Sequence, residues 1–74
     1  METVIDQINR LEEGEFFIFF PYKGNRNTLF MTGTTEGMKR GQIWEIYDDE
    51  NDVVYNLKIK LVRKKEVWAD LIVN

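Results

Sequence analysis

The chain has no cysteine and no histidine among its 74 residues. Without cysteine, neither a disulfide framework nor a thiolate metal site can staple the fold, so an apolar core has to hold it alone. Without histidine as well, the sequence lacks the commonest general base, the commonest metal ligand and the most nucleophilic thiol. Proline occurs once, at Pro21. No apolar run approaches the roughly 18 residues of a membrane span, and no signal-peptide layout opens the chain. These absences set the expectation of a complete, cytoplasmic, non-enzymatic chain with no cofactor, no metal and no membrane partner.

What is present is 43% apolar residues and 14% aromatic ones. Large rings supply more buried area per side chain than aliphatic groups, which suits one domain over residues 1–74, a chain too short to divide its core. Val4, Ile5, Ile8 and Leu11 recur at helical spacing, with Thr3 placed as an N-cap and Gly14 as a stop. That spacing predicts a short helix over about residues 3–13. From there on, runs rich in β-branched and aromatic residues alternate with polar turns: Glu15–Tyr22, Thr28–Thr34, Gln42–Tyr47, Val53–Arg63 and Val67–Val73. The turns are short enough to imply hairpin neighbours. The expected fold is therefore α+β: a short N-terminal helix, then a five-stranded antiparallel meander over about residues 15–73, as a curled sheet or small barrel.

Alternation assigns faces. Val53, Tyr55, Leu57, Ile59 and Leu61 are expected inward, with Asn56, Lys58 and Lys60 outward. In the first strand Phe16, Ile18 and Phe20 oppose Phe17 and Phe19, so both faces need cover, and the helix stripe is the expected cover for one. An odd pairing sum in the third hairpin would turn Trp44 and Ile46 inward and leave Ile43, Glu45 and Tyr47 outside.

Motifs for chemistry are thin. The turn Asp48-Asp49-Glu50-Asn51-Asp52 lacks the spacing of a calcium loop and reads as a solvated turn. Gly33, Gly37 and Gly41 lie between strands, with no helix start to receive a phosphate, and read as turn glycines. Lys39-Arg40-Gly41-Gln42-Ile43-Trp44 resembles the opening strand of the PemK-type toxin endoribonucleases. The likeness stops after that strand, and no matching Arg and Thr set follows it, so it implies shared strand chemistry and no shared activity.

Net charge is −3, arranged in blocks. Residues 1–15 set five acids against Arg10, and residues 23–40 set four bases against Glu36. Residues 45–52 hold five acids and residues 58–65 five bases. In a meander, Lys23 and Arg26 fall at the same end as the acidic turn, while Lys39, Arg40, Arg63, Lys64 and Lys65 share the other end with Glu12, Glu13, Glu15, Glu36 and Glu66. Both ends come out nearly neutral. The surface thus lacks the basic surplus that drives phosphate affinity.

Binding is the reading that remains. Ile43, Tyr47 and Trp68 would form an exposed apolar group with the composition of a protein interface. The loop Thr35–Gly41 offers Met38, Lys39 and Arg40 as a recognition tip. Pro21 suits a strand end at a sheet edge, and an open edge offers homodimerisation by strand addition. Glu15, Pro21 and Lys23 flank the aggregation-prone run Phe16–Phe20. The expected role is stoichiometric action on another protein as a regulator, inhibitor or adaptor, a type common among bacterial and phage accessory proteins. The alternative is a single-stranded nucleic-acid binder using Lys58, Lys60, Lys64 and Lys65 with the strand aromatics.

Overall fold

Thr3 opens the first helix as its sequence position requires. Its hydroxyl accepts the Asp6 N–H at 3.1 Å, and the Asp6 carboxylate accepts the Thr3 N–H at 3.2 Å, a reciprocal capping box. The Thr3 backbone bond first, and its hydroxyl bond second, hold the Asp6 carboxyl below the usual aspartate range. The cap's pH-dependent contribution is therefore present above the ordinary aspartate pKa and fades as pH falls through the lowered value. The computed structural model describes residues 3–72, and within it helix α1 spans Val4–Asn9. It ends short of the expected residue 13 because the chain tightens: Arg10 and Leu11 donate to the carbonyls three residues back, Gln7 and Ile8.

Five strands follow: β1 Glu15–Tyr22, β2 Asn25–Thr32, β3 Ile43–Asp48, β4 Val53–Val62 and β5 Glu66–Leu71. Val73, expected in the last strand, lies outside the described residues. β2 begins earlier than expected because Lys23 and Gly24 alone make the turn, both at positive φ, 51° and 79°. Two such residues give the mirror-type turn whose twist matches a hairpin, so Asn25 pairs directly with Tyr22.

The α+β class holds, but the antiparallel meander does not. The strand order is β2-β1-β5-β4-β3, and β1 pairs with β5 in parallel. The reason lies in residues 33–42. This connection is long enough to cross and carries the chain from the β2 edge across the mouth of the curled sheet to the opposite edge. Thr35 and Met38 are buried along the way. The sheet is thus a mixed, curled half-barrel with β2 and β3 as its two edges. The crossing reverses strand direction, as a hairpin would. The turn after β1 and the acidic turn after β3 still share one end, and residues 33–42 and Arg63–Lys65 the other.

Pro21 has a different role from the one expected, since β1 is an interior strand. The Phe17 N–H donates to the Lys65 carbonyl at 3.1 Å, which directs the odd-numbered amides of β1 toward β5. Phe17, Ile18 and Phe19 pair with Glu66, Val67 and Trp68, and the ladder stops there. Pro21 is the next odd position and has no N–H to offer, so the two strands part.

The concave side holds the core: Phe16, Ile18, Phe20, Met38, Ile46, Leu57, Ile59, Val67 and Ala69. Fully burying each large apolar side chain stabilises by roughly 1.5–3 kcal/mol before chain entropy is counted. Strand four follows its expected alternation from Tyr55 up to a register shift between Ile59 and Leu61, whereas Val53, expected inward, lies at the strand's start beside the acidic turn and is 39% exposed. There the bulge turns Leu61 to the outer face, 42% exposed, and Val62 takes the inward position opposite Val67. The helix covers neither face as a stripe, for α1 has no buried residue and Ile5 is 68% exposed. Leu11, just beyond it, is buried.

Candidate functional site

The outer face of β1 is covered by its own neighbours. Phe19 is fully buried there, stacked on Trp68 at 4.8 Å, with Phe17 at 5.8 Å and the Arg26 guanidinium 5.7 Å from its ring. Phe17 meets Phe30 of β2 edge-on at 6.0 Å. Trp68 is half-buried, its indole N–H donating to Glu66. Leu61 lies opposite Trp68 in register. An aromatic and aliphatic band thus crosses four strands, with Phe30 and Leu61 its most exposed members.

At the other edge, Ile43 pairs with Lys58 and Tyr47 with Val54, the odd-sum register expected for this hairpin. Ile43 and Tyr47 face outward and are exposed, as expected. Ile46 is buried on the concave side. Trp44 shares that side but sits on the edge strand β3, so no neighbour covers it fully. Its indole N–H instead donates to Gln42 Oε1 at 3.0 Å, an oxygen that also accepts the Lys39 amide at 2.9 Å. Gln42 therefore pins the end of the crossing connection to the start of β3.

The expected recognition tip is corrected. Met38 is 7% exposed and belongs to the core, because the crossing connection folds it under the mouth of the half-barrel. Lys39 and Arg40 remain exposed at that end of the molecule. The structure therefore separates the expected partner residues into three places: Lys39 and Arg40 on the connection, Ile43 and Tyr47 on β3, and Trp68 on β5. The lysines of the nucleic-acid alternative divide too. Lys58 and Lys60 are exposed on β4, where Lys60 lies 3.6 Å from Asp70. Lys64 is exposed beyond the strand's end, and Lys65 donates from Nζ to the Leu11 carbonyl at 3.0 Å, tying the helix exit to β5.

One feature was out of reach from sequence. The sheet curls until Thr28–Met31 on the β2 edge and Tyr47–Asn51 at the end of β3 line a single cleft of about 220 Å³. Phe30, 54% exposed, and Tyr47, 53% exposed, stand on opposite walls, and they are the most exposed aromatic side chains among the described residues. The alternation of Phe30 with inward Leu29 and Met31 was a legible signal for its outward direction. Its position opposite Tyr47 was not. Within the turn, Asp48 accepts the amides of Glu50 and Asn51 at 3.2 and 3.4 Å, and the exposed Asp49 and Glu50 stand on the rim with no ion pair among the described residues.

The Tyr47 hydroxyl donates to Asp52 Oδ1 at 2.7 Å. That bond first, then partial desolvation, then the charges of Asp49 and Asp48 raise its pKa above the ordinary tyrosine value. The stabilising contribution is present below the ordinary value and is lost as pH rises through the raised one. Ultraviolet titration near 295 nm is expected to show Tyr47 ionising above the ordinary tyrosine range. Asp52→Asn should bring that transition back toward the ordinary value.

Among the described residues no group of three or more carboxylates is placed to hold a metal ion, and no helix is long and apolar enough to cross a membrane. The sequence matches no protein-family model, no curated protein and no solved structure.

Proposed function

We propose that this chain is a non-enzymatic binding protein that acts stoichiometrically on another protein, as a regulator, inhibitor or adaptor. The observation that carries this reading is the pair of exposed rings, Phe30 and Tyr47, facing one cleft. Exposed aromatic anchors rimmed by charged groups have the composition of protein interface hot spots.

The test is affinity capture of the tagged chain from its source lysate, with and without nuclease, followed by mass and stoichiometry of the eluted complex. A nuclease-resistant protein at fixed ratio is expected. Capture should fall at least about tenfold with Phe30→Lys plus Tyr47→Lys, since truncating a hot spot costs upward of 1.4 kcal/mol. Both side chains are exposed, so the melting temperature should move little.

A second reading, single-stranded nucleic-acid binding, draws on Lys58 and Lys60 sharing the outer sheet face with Phe17, Phe30 and Trp68. Against it stand the Asp70 partner of Lys60 and the structural bond of Lys65. Capture that needs nucleic acid and collapses as salt is raised would favour this reading over the first.

A further inference from the structure

The cleft between β2 and β3 is bounded by two strand edges that lack partners among the described residues. The Ile59 N–H donates to the Gln42 carbonyl and the Ile72 N–H to the Asn56 carbonyl, each at 2.8 Å. These bonds direct the odd backbone groups of β4 toward β3 and the even ones toward β5. The even residues of β3 therefore bond to β4, and the N–H and C=O of Glu45 and Tyr47 point to the open edge. By the same alternation from Phe17 N–H, the even groups of β1 serve β2. The Ile18↔Leu29 pairing then leaves the N–H and C=O of Thr28 and Phe30 unpaired on the β2 edge.

We infer that the cleft receives an extended, Lys- or Arg-bearing segment of the partner as a sixth strand, which bridges β2 and β3 and extends the half-barrel toward closure. This rests on the protein-binding reading above and specifies its mode. A strand in that position satisfies three features together. Its backbone pairs with the unpaired groups of Thr28 and Phe30 on one side and of Glu45 and Tyr47 on the other. Its outward side chains lie between the exposed Phe30 and Tyr47 rings. Its cations meet Asp49 and Glu50 on the rim, carboxylates with no ion pair among the described residues. A segment with acidic side chains at that end would face like charge and be rejected.

The experiment uses the full chain labelled with 15N and three blocked octapeptides: one alternating Val with Lys, the same pattern with Glu for Lys, and the Lys peptide with a central Pro. The Lys peptide is expected to saturate and to slow amide exchange at least tenfold at Thr28, Phe30, Glu45 and Tyr47. The Glu and Pro peptides should bind at least tenfold more weakly. Thr28→Pro removes an edge donor that the sheet does not use. It should abolish the protection while circular dichroism stays native, and Asp49→Asn with Glu50→Gln should weaken binding several-fold as an independent check. Absence of Lys-peptide binding, or binding without slowed exchange at those four amides, would overturn the strand mode. A nuclease-resistant partner captured equally by Thr28→Pro would overturn it as well while leaving the protein-binding function standing, whereas failure to capture any protein bears on that function itself.

Discussion

Met38→Ala is expected to destabilise the protein by about 2–4 kcal/mol, the range for removing a buried long apolar side chain and leaving part of the space unfilled. For a domain of this size that corresponds to a fall in melting temperature of roughly 13–26 °C, readable by calorimetry or urea unfolding. The expectation follows from burial. Met38 sits in the concave cluster with Phe16, Ile18 and Leu57, although lysine, arginine and two glycines surround it in sequence. An unbranched thioether suits the irregular space where a crossing connection meets a curled sheet. Arg40→Ala, two residues on and exposed, should change stability by no more than about 0.5 kcal/mol. Equal and small effects of the two substitutions would mean that the connection is detached from the core.

The contrast between these neighbours shows where sequence reasoning reaches its limit. Alternation is a local property, so the faces of β1 and β4 and the register of the β3–β4 hairpin could be read from residue order. The helix cap could be read for the same reason, because Thr3 and Asp6 need only each other. Strand order is not local. Ten residues between β2 and β3 permit either a long hairpin or a crossing, and the choice is made by what the connection can bury on its way. Met38 and Thr35 supply that burial, but a methionine between cations reads equally well as a loop tip. The same ambiguity hid the cleft. As hairpin neighbours, β2 and β3 would have paired their edges and placed Phe30 beside Tyr47 within one sheet. Because the chain crosses, both edges stay open and confront each other. The bulge that exposes Leu61 was hidden differently, since Lys60 and Leu61 keep the alternating pattern and only the pairing with Trp68 and Val67 reveals the slip.

Phe19→Ala should have the largest effect of any single substitution on the outer face, about 3–5 kcal/mol. A chain of this length has on the order of 4–11 kcal/mol of total stability, so the variant should be partly unfolded at room temperature. Phe19 does more than fill space. It lies directly opposite Trp68 across the parallel β1–β5 ladder, which comprises only three residue pairs before Pro21 ends it. Those few bonds are what join the β2–β1 pair to the β5–β4–β3 group within the sheet. The ring stack at 4.8 Å, backed by Phe17 and Arg26, therefore clamps the seam where hydrogen bonding is scarcest. Phe30→Ala, on the same face but 54% exposed, should cost less than about 1 kcal/mol. Amide exchange would separate the two accounts of Phe19. If the ring clamps the seam, a milder Phe19→Leu variant should speed exchange first at Phe17, Phe19, Val67 and Ala69, ahead of the β3–β4 ladder. Uniform acceleration across all strands would reduce Phe19 to a packing contribution, with the seam held by the concave core instead.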